Sequence, residues 1–192
     1  MAQQPTAWMW NGGYSLRAAA DTEGEVQRIL EKLEATDQNQ TILRLVANSP
    51  NVFRPFVLLA NSLVNKATLG SAEREALVLH LAALEGAAYE TDAHLLPAAQ
   101  AGLTADQIAI LTSGAALDHP TEFTDAQNLA LRLGHKVVQG EALDDADWAK
   151  AQAQWGNEGS LDLVFSVAWW AGFVLVFTRA LGLRPVQTGP GA

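Results

Sequence analysis

The stretch YETDAHLL, residues 89–96, places a glutamate and a histidine one helical turn apart. Residues four apart in a helix share a face, so Glu90 and His94 are expected to lie side by side. Histidine is the side chain best suited to proton transfer near neutral pH, and a neighbouring carboxylate can orient its ring or exchange a proton with it. A salt-bridged pair on a solvated surface is the alternative interpretation, and the spacing alone does not separate the two.

A second acid precedes this pair along the chain. Glu75 lies in a predicted helix that ends at Gly86, just before the helix that carries Glu90 and His94. A helical hairpin around Gly86 would bring Glu75 to face the other two side chains. Two carboxylates and an imidazole in an apolar pocket perturb one another's protonation and form an acid–base set. In such a set His94, Glu90 and Glu75 would have catalytic roles, while a solvated Glu–His pair stays open as the alternative.

The other three histidines have different surroundings. His80 stands in ALVLHLAAL, a strongly apolar helix, which indicates a core or interface histidine. His119 lies beside Pro120 in a predicted loop, where it is a candidate for the mouth of a substrate pocket. His135 is near the end of its helix, where the helix dipole favours a cation.

Metal and cofactor motifs are absent from the sequence. It contains no H-E-x-x-H motif and no histidine pair at helical spacing, so no metal site is predicted. A metal-dependent enzyme that uses Glu75, Glu90 and His94 as ligands stays open as a minor hypothesis. No glycine-rich stretch has the spacing of a phosphate-binding loop or a dinucleotide fingerprint, so no cofactor is predicted.

Composition excludes several classes of function. The 192 residues contain no cysteine, which rules out disulfides, thiolate metal sites and thiol chemistry. The 21 acidic and 12 basic side chains give a net charge of -9, and no basic cluster is present, so neither nucleic acid nor an anionic membrane surface is an expected partner. The first residues do not resemble a signal peptide, and we expect a cytoplasmic protein. The longest uncharged stretch, 163–178, is shorter than the roughly 20 residues of a membrane helix and predicts a core or subunit-interface helix.

Helical patterns run through nearly the whole chain. Apolar residues recur with helical period, N-cap residues precede the repeats, and alternating strand patterns are absent, so the predicted class is all-α with about seven to nine helices. We expect an irregular N-terminal segment over 1–20, a single domain over 21–183 and a flexible tail over 184–192. In the last helix Trp169 and Trp170 point about 100° apart, so at most one of them faces a pocket.

The sequence resembles a known family in the region of the acid–base residues. Residues 73–111, EREALVLHLAALEGAAYETDAHLLPAAQAGLTADQIAIL, are similar to the signature of the carboxymuconolactone decarboxylase family, which shares the alkylhydroperoxidase-D-like fold. The signature joins an acid in a helix opened by R-E, an apolar run, a Y-E-W-x-x-H motif, small residues and a glycine that ends the helix. The order of the flanking helices extends the resemblance over residues 40–183.

The resemblance implies an oligomer and a type of chemistry. Members assemble as homo-oligomers, and a trimer, hexamer or dimer is expected here. The redox branch carries a C-x-x-C pair ahead of the same histidine, and Ala87 and Glu90 occupy those two places in this sequence. What remains is the decarboxylase-like branch, in which a glutamate and a histidine are implicated in proton transfer on a small carboxylated or lactone substrate.

Two departures from the family pattern affect the predicted pocket. Thr91 replaces the tryptophan of Y-E-W and makes the expected substrate-binding wall smaller and more polar. Pro97, three residues after His94, lacks the N–H that a helix needs and is expected to kink it. Tyr89 is predicted to donate a hydrogen bond to a developing enolate oxygen. The leading hypothesis is a cofactor-independent lyase or isomerase, and the alternative is a non-catalytic oligomeric member of the same fold.

Overall fold

The chain forms two compact units. We analysed a computed structural model that describes residues 8–10, 13–35 and 41–185. One unit comprises Met1–Trp10 with Ala67–Ala192, and the other comprises Asn11–Lys66. The division runs through the segment 21–183 that the sequence suggests as one domain. All of the side chains with predicted chemical roles belong to the first, larger unit.

The described residues of the smaller unit form a short 3-10 turn, Ala19–Asp21, and three α-helices. The α-helices are α1, Gly24–Glu34; α2, Thr41–Val46; and α3, Pro50–Asn65. Pro50 is the first residue of α3, a position where its missing N–H removes no helical hydrogen bond. Leu30 and Phe53 are fully buried, and Glu25 pairs with Arg54 across 2.7 Å to link α1 with α3.

The larger unit contains six α-helices, a π-helix and two very short strands among its described residues. In chain order they are β1, Trp8–Met9; α4, Ser71–Leu84; α5, Ala88–Gln100; α6, Ala105–Ser113; α7, Asp125–Val138; α8, Asp145–Val167; the π-helix, Ala168–Val174; α9, Leu175–Ala180; and β2, Arg184–Pro185. The strands pair antiparallel over two residues each, so the class is all-α, as predicted. Residues 186–192, most of the predicted tail, lie outside the described part of the chain.

Helix α4 is the central element of this unit. Every residue from Arg74 to Ala82 is buried, because α5, α6, α7 and the π-helix pack around it. Leu77 and Leu81 join one apolar cluster with α7 and α8, and Ala76 and Leu79 join another with α5, α6 and α7. A helix that is apolar on all sides is a core helix. Any polar side chain on α4 consequently needs a partner inside the protein.

A tight turn joins α4 to α5. Gly86 has a φ of 62°, a left-handed conformation that glycine adopts without steric cost. The two helices form the predicted hairpin, and Glu90 lies in the first turn of α5. Helix α5 continues through Pro97 to Gln100, so the proline does not end the helix.

The last helical run changes geometry twice. Within α8, Gly156 has a φ of 68° and interrupts the helix. Seven residues, Ala168–Val174, then take up π-helical geometry before α9 begins. By length and composition alone, Asp145–Ala180 also passes the test for a membrane-spanning helix. That is weak evidence, because core helices pass the same test, and Leu163 and Val167 belong to the core of this unit.

Candidate active site

His94 is held by a carboxylate from the neighbouring helix. Its Nδ1 lies 2.7 Å from Oε2 of Glu75, and both side chains are largely buried. Glu75 is on α4 and His94 on α5, so the contact depends on the hairpin at Gly86. The structure thus brings together the residues that the sequence pairs through this hairpin.

The contact with Glu75 sets the tautomer of His94. An ionised carboxylate only accepts hydrogen bonds, so Nδ1 carries the hydrogen and donates it to Glu75. The lone pair of the neutral ring is then on Nε2, which lies 3.7 Å from Oε2 of Glu90. The sequence predicts that Glu90 orients the ring or exchanges a proton with it, and the shorter distance gives the orienting contact to Glu75. The Nε2 atom is left as the available base.

Glu75 is kept ionised by two neighbours. Nε and Nη2 of Arg74 donate to its Oε1 at 3.1 and 3.0 Å, while Oε2 accepts from His94. Burial acts to raise the pKa of Glu75, but the hydrogen bonds and charges of His94 and Arg74 together lower the pKa below its ordinary value. Glu75 therefore serves as a fixed anion that orients the imidazole.

Glu90 has the opposite electrostatic environment. Its side chain is buried, and burial raises its pKa to about 7, although the charge of His94 opposes the shift. Its Oε1 makes no hydrogen bond within the described part of the chain. Near neutral pH, Glu90 is therefore present in both its acid and its carboxylate forms. That property suits a group that gives and takes protons.

A small cavity lies against Glu90. Its volume is about 10 Å³, close to the space that one water molecule needs. Apart from Glu90, the lining side chains are apolar: Val78, Leu81, Ala82, Trp170, Ala171 and Leu175. The cavity belongs to the acid–base site, since Glu90 and Trp170 both line it and both flank His94.

Trp170 forms one wall of the site. Its ring meets the His94 ring edge-on, with centroids 5.9 Å apart and planes at 86°. Trp169 points elsewhere and stacks on Phe173 with centroids 5.3 Å apart. Both tryptophans lie in the π-helix, a rare geometry that is often found at functional sites. The sequence indicates that only one tryptophan faces a pocket, but it does not identify which.

The remaining predicted substrate-binding residues are more scattered. Tyr89 is buried on α5 but is not among the residues that line the cavity. The Thr91 hydroxyl donates to the carbonyl of Ala87 at 3.2 Å. His119 is exposed between two short 3-10 turns, and no side-chain contact joins it to Glu75, Glu90 or His94 in the described structure. The structure therefore groups the three predicted catalytic residues without His119.

A second histidine pair lies on another side of α4. His80 is fully buried, as predicted for a core histidine, and its Nε2 is 3.3 Å from Nδ1 of His135 on α7. Burial, with a smaller effect of the His135 charge, lowers the pKa of His80 to about 4. His80 is therefore neutral at physiological pH.

The described residues contain no three His, Asp or Glu side chains placed to hold one metal ion together. The guanidinium of Arg74 also touches Glu75, one of the ligands that a metal-dependent mechanism would need. The metal hypothesis therefore has no support from the geometry of this region.

A larger groove lies between α7 and α8, away from the acid–base residues. It has a volume of about 570 Å³ and is open to solvent. Its charged side chains, Asp125, Arg132 and Lys150, are all exposed. Glu90, by contrast, is buried with its pKa raised to about 7, and this combination makes its surroundings the candidate site.

Comparisons with known proteins agree with the resemblance seen in the sequence. Residues 50–136 match the model of the carboxymuconolactone decarboxylase family, a narrower span than the resemblance over 40–183. The match includes Glu75, Glu90 and His94. A comparison with curated proteins found no match.

A solved structure shares the fold. The chain superposes on the crystal structure of an uncharacterized peroxidase-related protein from Silicibacter sp. TM1040, with a TM-score of 0.75 and 16% sequence identity. The superposition covers 96% of this chain and 94% of that one. The fold is the predicted all-α, alkylhydroperoxidase-D-like bundle. Because this chain has no cysteine, thiol-based peroxidase chemistry is excluded.

Proposed function

We propose that this chain, in which residues 50–136 match the carboxymuconolactone decarboxylase family, is a cofactor-independent lyase or isomerase. It would transfer protons on a small carboxylated or lactone-type organic molecule. The observation that carries the proposal is the placement of His94 between an ionised Glu75 and a Glu90 whose pKa is raised to about 7. Two carboxylates with separated pKa values are the usual basis for dividing acid and base roles.

Each residue has a distinct role in this proposal. His94 is the general base, because the hydrogen bond from its Nδ1 to Glu75 leaves Nε2 unprotonated. Glu90 is the acid, since its protonated form can donate to an oxygen that gains negative charge. Glu75 orients the ring and stabilises the imidazolium that forms, and Arg74 keeps Glu75 ionised.

The same groups serve both branches of the proposal. In an isomerisation, Nε2 of His94 takes a proton from the carbon next to a carbonyl, and the C–H electron pair forms an enolate whose oxygen is stabilised by Glu90. The proton then returns to another carbon of the same molecule. In a decarboxylation, the breaking C–C bond leaves its electron pair on the substrate as CO₂ departs, and protonated His94 or Glu90 supplies a proton to that carbanion.

The small volume of the cavity favours a second candidate function. A space of about 10 Å³ does not accommodate an organic molecule without movement of its walls. A non-catalytic member of the fold would use Glu75, Glu90 and His94 as a buried structural cluster. The two functions differ in whether any carbon acid exchanges its protons at this site.

The test is proton exchange measured without the natural substrate. An unsaturated five-membered lactone is incubated with the protein in D₂O, and deuterium at the carbon next to the carbonyl is followed by NMR. His94→Ala and Glu90→Gln are expected to reduce the protein-dependent rate by at least about 100-fold. His135→Gln, a partly buried histidine outside the site, is the control and should keep the rate. Wild-type exchange no faster than buffer, or full exchange in His94→Ala, would overturn the catalytic assignment.

A homo-oligomer is the second part of the proposal. Four large apolar side chains, Leu161, Phe165, Phe173 and Val176, are exposed on α8, the π-helix and α9. Trp169, Phe173 and Phe177 also stack in a row along the same run. Exposed apolar surface of this kind is typical of subunit contacts, and we expect it to be buried between copies of a cytoplasmic protein.

Sedimentation analysis would test the oligomer. Phe165→Glu is expected to lower the oligomeric state, whereas Leu96→Glu, at an exposed leucine on α5, should not. A monomeric wild type, or equal effects of the two substitutions, would contradict the proposal.

A further inference from the structure

We infer that the acid–base site accepts the neutral carbonyl end of a small, mainly apolar molecule, such as a lactone or an ester, rather than a carboxylate. Trp170 is the residue that limits the size of this molecule. The inference rests on the proposed function and narrows its substrate class from carboxylated or lactone-type compounds to neutral carbonyl compounds.

The charges around the cavity disfavour an anion. Glu90 is the one ionisable side chain that lines the cavity, and its other lining residues are apolar. Arg74, the cation of this cluster, already donates through Nε and Nη2 to Glu75. His94, when protonated, already faces the carboxylates of Glu75 and Glu90. A substrate carboxylate would therefore enter a buried site that already holds the anion of Glu75. The described residues around it offer no cation that is not already paired with a carboxylate, so the entry of an anion is costly.

The hydrogen-bonding capacity of the site fits a carbonyl oxygen. In its neutral form Glu90 has one O–H donor, and its Oε1 is unpartnered among the described residues. A carbonyl oxygen can accept this hydrogen bond. The bond becomes stronger as negative charge develops on that oxygen in the enolate. Arg74 and Glu75 on α4, and His94 on α5, are the charged or titratable groups that face this region. From the π-helix and α9 the cavity is lined only by Trp170, Ala171 and Leu175.

Trp170 sets the size limit because it closes the cavity. The space beside Glu90 holds about one water molecule, so a larger ligand requires the indole ring to move. The ring belongs to the π-helix and is itself buried, with 5% of its surface exposed. Trp169, the adjacent residue, stacks on Phe173 and does not line the cavity.

The chemical step for such a substrate is balanced within the site. Nε2 of His94 accepts the proton from the carbon next to the carbonyl, and the C–H electrons become the C=C bond of the enolate. The carbonyl π electrons move to oxygen, which accepts the hydrogen bond from Glu90. Return of the proton from His94 to the far carbon of the conjugated system restores the carbonyl and the free base, without an external oxidant, reductant or metal.

The experiment compares two probes that differ only in charge. One is an unsaturated five-membered lactone with a methyl-ester side arm, and the other is the same lactone with that arm as the free carboxylate. Binding to the wild-type protein is measured by NMR at about pH 6, where most Glu90 is protonated. We expect the ester to bind at least about tenfold more tightly than the carboxylate.

The pH dependence provides a second readout. Ester affinity should fall as the pH rises through about 7, because Glu90 then loses its donor proton and gains a charge. Glu90→Gln keeps an N–H donor at the same place and should remove this pH dependence while retaining ester binding.

Paired tryptophan variants test the size limit. Trp170→Ala is expected to bind a benzyl ester of the same lactone at least about tenfold more tightly than the wild type, because the substitution enlarges the cavity. Trp169→Ala is the matched control and should bind it as the wild type does. Trp170→Phe, a smaller change, repeats the test if the alanine variant does not fold.

The possible results separate this inference from the proposed function. Tighter binding of the carboxylate, no binding of either probe, or equal effects of the two tryptophan variants would overturn the inference. Loss of deuterium exchange in His94→Ala would still support proton transfer in each of those cases. Absence of protein-dependent exchange would overturn the proposed function, whichever probe binds.

Discussion

Two histidines at the core helix α4 have partners of different charge. His94 lies against α4 and is hydrogen-bonded to Glu75, which Arg74 also contacts. His80 is part of α4 and is paired with another imidazole, His135, next to apolar clusters. Both rings are largely removed from water. The difference between them lies in the charge of their partners rather than in their depth.

The comparison shows how the same side chain becomes a candidate catalyst or a structural group. The ionised Glu75 stabilises positive charge on His94 and also fixes its tautomer, so the ring can accept a proton at Nε2. No carboxylate offsets the burial of His80, and its pKa falls to about 4. His80 is consequently neutral at physiological pH and is poorly suited to proton transfer.

The largest expected effect comes from removal of the shared anion. Glu75→Leu leaves the buried Arg74 guanidinium without its counter-charge and removes the acceptor for His94. We expect the free energy of unfolding at neutral pH to fall by roughly 3–5 kcal/mol, the typical cost of breaking a buried ion pair. Urea denaturation measures it. Glu75→Gln, which keeps a hydrogen-bond acceptor, should cost less, and a loss below about 1 kcal/mol for Glu75→Leu would mean that the cluster is not a stabilising unit.

Glu90 is expected to make the protein less stable at alkaline pH. Its pKa is about 7 when folded against the ordinary 4.5, so the folded state binds the proton more tightly than the unfolded state. The resulting stability is fully present below about pH 4.5 and is lost as the pH rises through about 7, by up to about 3 kcal/mol. Glu90→Gln should remove this loss and be the more stable protein at alkaline pH, despite its lower exchange rate. Denaturation of both proteins from acidic to alkaline pH measures it, and parallel stability curves would contradict the shifted pKa.

His80 is expected to have the opposite pH dependence. Its pKa is about 4 when folded against 6.5 when unfolded, so the unfolded state binds the proton more tightly. Stability is lost as the pH falls below about 6.5 and the loss levels off below about 4. We expect the free energy of unfolding to fall by about 2 kcal/mol. Water near the partly exposed His135 reduces the cost of a positive charge on His80. His80→Leu should lose less stability than the wild type over this range, with His119→Gln, an exposed histidine, as the control. Equal acid sensitivity of the two variants would contradict a buried neutral His80.

The sequence predicts the acid–base cluster because its determinants are local. Glu90 and His94 share a helical face, and Gly86 permits the left-handed turn that brings Glu75 back to them. The class also follows from periodic apolar residues and from the N-cap residues that precede them, and the structure has capping boxes at Thr104 and Thr124. These features depend on residues a few positions apart, where spacing is informative.

Other features depend on distant contacts and are not predictable from spacing. His80 and His135 are 55 residues apart, and no local pattern pairs them. The direction of Trp170 depends on the π-helix, which changes the angle between successive side chains relative to an α-helix. The pKa of Glu90 requires its burial, which the helical pattern of α5 does not reveal. Strands β1 and β2, with two residues each, are too short to show alternation.

The smallest expected effect comes from a change at Arg74, which donates two hydrogen bonds to Glu75. Arg74→Lys keeps a positive charge near Glu75 but cannot place two nitrogens on Oε1, which Nε and Nη2 of arginine contact at 3.1 and 3.0 Å. We expect the free energy of unfolding to fall by about 1 kcal/mol. Deuterium exchange should slow by about three- to tenfold, because Glu75 orients His94 less tightly. Arg132→Lys, at an exposed arginine on α7, is the matched control and should change neither quantity. A full exchange rate in Arg74→Lys would show that charge alone, without the two-nitrogen contact, is enough to hold Glu75. The contrast with His80 would then rest on the carboxylate of Glu75 alone, since any nearby cation would be sufficient to keep that carboxylate ionised.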